Sequence, residues 1–288
     1  MKALITGITG FVGKHLKREL EENNYTVYGI SKSAENSEYT FQCDIKDPHN
    51  VSTIIKKITP DVIFHLAGFS SVSKSFSQPD ECYAINVIGT KNLFDALTAH
   101  KINAKVLIVS SFEVYGKAHH VPTDEKHPIR PLSPYGISKI EMEKTASCYN
   151  LPLIIVRASG HTGDDQPDSF ALPSFKKQIA NARNGEPILV GNLDIIRDFS
   201  DVKDVVKTYR LLMEKGIPGE VYNVGSGRGY NLSFILQKMI EKSGKNITIA
   251  VDPLRFRPAD IPVMIADNTK VCQTTGIQFR NIFQDLIH

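Results

Sequence analysis

Apolar and polar positions follow two rhythms through the first 160 residues. Near-continuous apolar runs occur at "KALIT" (2–6), "TVYGIS" (26–31), "TFQCDI" (40–45), "VIFHLAG" (62–68), "KVLIVSS" (105–111) and "PLIIVRAS" (152–159). Between them, apolar residues recur at helical spacing near 11–23, 48–58, 78–99 and 134–149. Runs with no alternating polar face belong to strands covered on both sides by helices. Their alternation with helices predicts an α/β, Rossmann-type doubly wound parallel sheet.

Beyond residue 160 the rhythm loosens. A polar loop, "HTGDDQPDS", leads to a helix over about 170–184, a strand at "PILVGN" and a helix over 201–215. A strand at "EVYNVG" and a helix at "NLSFILQKMIEKSG" follow. This pattern predicts a smaller C-terminal α/β lobe. The expected division is 1–160 as one domain, joined by an element from about 193–216, and 161–288 as the second lobe.

The composition narrows the class of partner. Of 288 residues, 41% are hydrophobic and 23% charged, ordinary for a soluble globular protein. A net charge of +3 gives no field that would favour nucleic acid or a membrane surface. No apolar run is long enough to span a bilayer, and the start of the chain reads as a strand rather than a leader. Cys43, Cys82, Cys148 and Cys272 lack C-x-x-C spacing. They read as reduced thiols in a cytoplasmic protein, with no disulfide or metal site expected.

The turn after the first apolar run carries the first chemistry. "ITGITGFVG" places Gly7, Gly10 and Gly13 between strand and helix. There the backbone can approach a pyrophosphate that sits on the positive end of the helix. Thr9, Phe11 and Val12 lie in the same turn and are expected at the cofactor. An acid ending the second strand would bind a ribose 2′-hydroxyl and repel a 2′-phosphate. The strand ends instead in Ser31-Lys32-Ser33, so NADPH is expected, with NADH possible. Asp44 and Ile45, after the third run, are placed to meet the adenine.

"YGISK" occurs twice, at 28–32 and 135–139. In a strand, residues four apart lie about 13 Å apart, so Tyr28 and Lys32 form no compact pair. Tyr135 follows Ser133-Pro134, a helix-start signal, and on a helix Lys139 shares its face. An ammonium there would lower the tyrosine pKa and make it a proton donor or acceptor. Ser110-Ser111 ends a central strand, where ligands bind in such sheets, and a serine hydroxyl could bond a substrate carbonyl.

Together the G-x-x-G-x-x-G turn, "HLAG", the strand-end serine and Y-x-x-x-K resemble the extended short-chain dehydrogenases/reductases. The resemblance implies a catalytic triad of Ser111, Tyr135 and Lys139, cofactor contacts at Leu66, Ala67 and Gly68, and His161 near the nicotinamide. It also implies a homodimer through a four-helix bundle built from the helices near 78–99 and 134–149. In the second half, "VGNLDIIRDFSDVKD" and "DPLRFRPADIP" are similar to the branch of GDP-mannose dehydratases and GDP-4-keto-6-deoxy-mannose reductases. Arg197, Arg255 and Arg257 offer planar forks for a diphosphate, and Asp260 a partner for a ribose hydroxyl. Ser70, Lys177 and Asn192 match substrate positions of the branch.

Within that branch the sequence favours a reductase. The dehydratases use a glutamate base where Glu113 stands, but the reductases carry one there too. The chain is short for a dehydratase, and "SKSAENSEYT" replaces the dehydratase loop after the second strand. The expected reaction is NADPH-dependent reduction of the 4-keto group of a GDP-4-keto-6-deoxy sugar. A dehydratase, an epimerase and a non-catalytic cofactor sensor are the alternatives. The branch pattern R-x-F-N-H-x-G-P reads here Arg157-Ala158-Ser159-Gly160-His161-Thr162-Gly163-Asp164. Ser159 and Gly160 are expected to open space beside the sugar, enough for a 6-deoxy-heptose as well as a hexose.

Overall fold

The computed structural model describes residues 1–256 and 259–283. The first half runs β1 (Lys2–Thr6), α1 (Phe11–Glu22), β2 (Thr26–Ser31), β3 (Thr40–Gln42), α2 (Pro48–Ile58) and β4 (Val62–His65). Then come α3 (Val72–Ser75), α4 (Pro79–Tyr83), a π-helical turn at Ala84–Ile88, α5 (Gly89–Ala99), β5 (Lys105–Ser111), α6 (Pro134–Ser147) and β6 (Leu153–Ala158). The second half contains β7 (Gly160–Thr162), α7 (Ala171–Asn181), β8 (Pro187–Val190), β9 (Ile196–Asp201), α8 (Val202–Lys215) and β10 (Val221–Val224). It ends with β11 (Gly229–Asn231), α9 (Leu232–Ser243), β12 (Thr248–Val251), β13 (Val263–Met264) and α10 (Thr269–Thr275).

Seven strands form one sheet in the order β10-β6-β5-β4-β1-β2-β3, and every neighbouring pair is parallel. Along each central strand, successive residues enter opposite cores. Ala3, Ile5, Val62, Phe64, Leu107, Ile154 and Val156 fill one. Leu4, Ile63, Val106, Ile108, Leu153 and Ile155 fill the other. Both faces need apolar residues, which is why these strands read as unbroken apolar runs. The chain winds outward from β1 to β3, then crosses back to β4 and continues the other way. The crevice at the carboxyl ends of β1 and β4 is therefore the switch point where ligands bind in such sheets.

Local signals set the helix starts. Asp47 accepts hydrogen bonds from the His49 and Asn50 amides at the head of α2, with Pro48 in the first turn. Ser133 does the same for the Gly136 amide at the head of α6, followed by Pro134. One expected strand is shorter than its apolar run: β3 stops at Gln42. The expected helix over 78–99 is broken into α4 and α5 by the π-turn.

The second lobe packs α7 and α9 on β8 and β12, around Phe175, Ile179, Ile188, Val190, Ile235 and Leu236. Not all of residues 161–288 lies there. Val202, Val205 and Tyr209 of α8, Tyr222 and Val224 of β10 and Val271 of α10 fill the first core. Among the described residues, no helix is long and apolar enough to cross a membrane.

Candidate active site

The glycine-rich turn closes on itself tightly. Gly7 has φ +76°, a left-handed conformation that glycine adopts without strain, and its amide donates to the Ile30 carbonyl at 2.7 Å. A Cβ on Gly13 would lie 2.3 Å from the Gly7 carbonyl oxygen. With glycine at 13 the first turn of α1 packs this close to the Gly7 backbone, and no side chain caps the helix's N-terminal amides. That cradle fits a pyrophosphate. At the end of β2 three hydroxyls cluster: Thr9 Oγ1 lies 2.6 Å from Ser31 Oγ and 2.9 Å from Ser33 Oγ. Lys32 projects beside them, its side chain 78% exposed and 3.6 Å from the Asp44 carboxylate. Hydroxyls and an ammonium with no acid ending the strand fit a 2′-phosphate. The Ile45 side chain is buried in the second core, against Gly89, so its backbone is what could meet the adenine. Phe11 and Val12 pack half-buried on the first core.

The loop after β4 carries Leu66, Ala67 and Gly68, followed by Phe69 and Ser70. The Leu66 amide donates to the Thr6 carbonyl at 3.2 Å, and a Cβ on Gly68 would come within 3.2 Å of Lys139 Nζ. Gly68 thus sits on Lys139, while Ser70 is exposed at the loop's far end.

Ser111 ends β5, and Tyr135 and Lys139 project from the first turns of α6. Burial raises the Tyr135 pKa above its ordinary value. A hydrogen bond from Ser111 opposes this, and the Glu113 carboxylate reinforces it. Burial lowers the Lys139 pKa to about 8, against the pull of Cys82 and Glu143. Lys139 Nζ donates to the Val109 carbonyl at 2.9 Å and stands 5.8 Å from the Tyr135 ring centroid. The expected lowering of the tyrosine pKa by the lysine is therefore corrected. The ammonium lies under the ring, tied to a backbone oxygen, and desolvation of the phenol dominates. Tyr135 keeps its proton, the state a proton donor requires. Tyr28, in β2, is far from any such arrangement, its ring tilted against that of Tyr39 with centroids 5.5 Å apart.

His161, on β7, lies parallel to Phe11 with centroids 6.2 Å apart, which ties it to the glycine-rich turn. The expected opening beside it is absent. A Cβ on Gly160 would meet the Asp198 carbonyl at 2.8 Å and the Phe199 ring at 3.0 Å, so Phe199 fills that space. Ser159 is buried, and its hydroxyl lies on the inner side, next to Gly225.

Across the crevice, three of the expected substrate residues meet. Asn192 Nδ2 donates to Asp260 Oδ2 at 3.1 Å, and Arg197 Nη2 lies 3.8 Å from Asp260 Oδ1. Arg197 also donates to the Ile196 and Pro262 carbonyls. Arg255 is separate, bonded to the Leu189 carbonyl at 2.9 Å and to Asp252. Lys177 forms a surface ion pair with Asp168. Arg257 lies outside the described residues. Sequence reasoning missed Asp198, which is 1% exposed. Its carboxylate accepts from Ser226 N and Oγ, Gly227 N and Ala266 N, at 2.5 to 3.2 Å. It pins the chain on either side of the Arg197 strand. Its signal was an acid next to Arg197 in a short motif, read only for the arginine.

This geometry has close relatives. The chain matches the family model described as GDP-mannose 4,6 dehydratase over residues 4–288. It is 30% identical to the GDP-6-deoxy-D-mannose reductase of Pseudomonas aeruginosa over 284 residues, 96% of this chain and 91% of that one. It is 32% identical to the GDP-6-deoxy-D-talose 4-dehydrogenase of Aggregatibacter actinomycetemcomitans, covering 97% and 93% of the two chains. The solved structure of RMD from Pseudomonas aeruginosa complexed with NADPH is similar with a TM-score of 0.86 and 28% identity, covering 99% of this chain and 96% of that one. The chain is thus a member of the GDP-mannose 4,6-dehydratase family, built on the extended short-chain dehydrogenase/reductase fold.

Proposed function

We propose that the protein reduces the 4-keto group of a GDP-4-keto-6-deoxy sugar with NADPH, NADH serving less well. The observation that carries this reading is a half-buried Tyr135, hydrogen-bonded to Ser111 and with the Lys139 ammonium 5.8 Å from its ring centroid. Two relatives acting on GDP-6-deoxy sugars support it. When bound, NADPH supplies the hydride. Tyr135 gives its proton to the oxygen of the former ketone, and Ser111 hydrogen-bonds that oxygen as negative charge gathers on it. Lys139 holds the far side of the tyrosine ring and meets the cofactor ribose. Glu113 orients a neighbouring sugar hydroxyl. Arg197, with Asn192 and Asp260 around it, holds the diphosphate and ribose.

The sugar is a hexose or a 6-deoxy-heptose. Phe199 fills the space beside Gly160, so any discrimination between them arises elsewhere in the crevice. The test offers NADPH together with a GDP-4-keto-6-deoxy hexose or heptose made by a separate dehydratase. Stoichiometric loss of NADPH absorbance with one of them supports the reading, and no loss with either rejects it. Glu113 is equally compatible with a second reading, a 4,6-dehydratase, in which that carboxylate takes a proton from C5.

The working unit is proposed to be a homodimer. α6 lies against α4 and α5, and Tyr83 of α4, Ile88 of the π-turn and Ile137 of α6 are 40–50% exposed. The same helices of a second copy would cover them.

A further inference from the structure

His65 ends β4 and is buried. Its ring has two partners: Nδ1 lies 2.7 Å from Thr6 Oγ1, and Nε2 lies 2.8 Å from Thr90 Oγ1. Neighbouring groups determine which way each hydrogen bond runs. The Thr90 hydroxyl donates its single hydrogen to the Asn86 carbonyl at 2.6 Å, so it can only accept from the ring, and Nε2 carries the proton. The Thr6 hydroxyl accepts from the Ala67 amide at 3.0 Å, leaving its hydrogen for Nδ1. Each hydroxyl then accepts once and donates once, and the neutral ring passes one ordered chain from β1 to the π-turn. A cationic ring would leave the Thr6 hydrogen without an acceptor. Burial, aided by the Lys139 charge, holds the ring neutral, with its pKa down at about 3.

The two ends of this chain grip the same loop. Thr6 holds the Ala67 amide. Asn86, whose backbone receives the last bond, accepts from the Phe69 amide through Oδ1 at 2.8 Å. Its Nδ2 donates to Ser138 Oγ at 2.8 Å, and Ser138 donates to the Tyr135 carbonyl at 2.8 Å. Gly68, the residue against Lys139 Nζ, lies between the two gripped amides. We infer that His65 is a positioning residue, whose single neutral tautomer joins Thr6 to Thr90 and so sets the 66–69 loop against the Tyr135–Lys139 helix for cofactor binding.

The inference rests on the nicotinamide-cofactor reading, and its test separates the two. Thr90→Val keeps the shape of the side chain and removes the hydroxyl, while Thr90→Ser restores the hydroxyl. NADPH affinity, followed by fluorescence titration, should fall roughly tenfold in Thr90→Val, the effect of one lost buried hydrogen bond. It should return to within about twofold of the parent in Thr90→Ser, with GDP affinity steady in both. Unchanged NADPH affinity in Thr90→Val, no rescue by Thr90→Ser, or an equal loss of GDP affinity would overturn the positioning role. Nitrogen NMR of the parent protein, with His65 assigned by its absence from His65→Gln, is independent of any folding defect in the variants. It should find Nε2 protonated and Nδ1 bare at pH 7 and still at pH 5; a proton on Nδ1 at either pH refutes the chain. A parent protein that binds no NADPH would remove the cofactor reading, and this role with it, whatever the NMR shows.

Discussion

Tyr135 and Lys139 differ from the ordinary tyrosine and lysine in opposite senses for one reason: both are desolvated, and burial disfavours whichever form is charged. The tyrosine is thereby kept protonated and the lysine brought to a pKa of about 8. Tyr135→Phe should lower kcat by at least about a hundredfold with NADPH affinity little changed, since only the proton donor is lost. Tyr28→Phe should leave kcat near the parent value. Equal losses in two folded variants would reject the assignment. The lysine gives a pH dependence with a definite sign. Its cation is present below about pH 8 and is lost above it, so kcat/KM should fall as pH rises through that value. Its folded pKa lies below its unfolded one, so unfolding takes up a proton in the window above pH 8, and stability rises with pH there. A rate that is flat from pH 7 to 9.5 would contradict the role given to Lys139.

Between elements, what the sequence revealed depended on whether a residue's neighbours in the chain were also its neighbours in space. α2 and α6 were legible because Asp47-Pro48 and Ser133-Pro134 are local start signals. The central strands were legible because both faces are apolar. β9 was not, since it buries Asp198 and Ser200 where an apolar residue would have marked a strand. The π-turn shifts helical register by one residue, which apolar spacing over 78–99 does not reveal. The candidate catalytic residues were marked by spacing, whereas the desolvation that reverses the expected shift of Tyr135 depends on the folded surroundings. Asp198 carries the corresponding prediction. Asp198→Ala leaves the donors of Ser226, Gly227 and Ala266 unpaired inside the protein and should destabilise it by about 3 kcal/mol or more. Chemical denaturation checks this; a loss below about 1 kcal/mol would mean that these segments hold without the carboxylate.

At the scale of the whole molecule, a seven-stranded sheet is joined by a four-stranded and a two-stranded one, and the family match runs through all three. If α4, α5 and α6 pair with a second copy, sedimentation should give twice the 32.0 kDa chain mass. Charging the face, as in Ile88→Glu with Ile137→Glu, should return a folded monomer; a monomeric parent would refute the pairing. The central claim is the direction and destination of the hydride. It is tested most directly with NADPH carrying two deuterium atoms at the nicotinamide C4, given with GDP-4-keto-6-deoxy-mannose or its heptose counterpart. The account predicts one deuterium at C4 of the sugar product, one NADP⁺ released per product, and no reaction with GDP-mannose alone. GDP-mannose converted to a keto sugar with its own C4 hydrogen moved to C6 and no net change in cofactor would contradict it and make the enzyme a dehydratase.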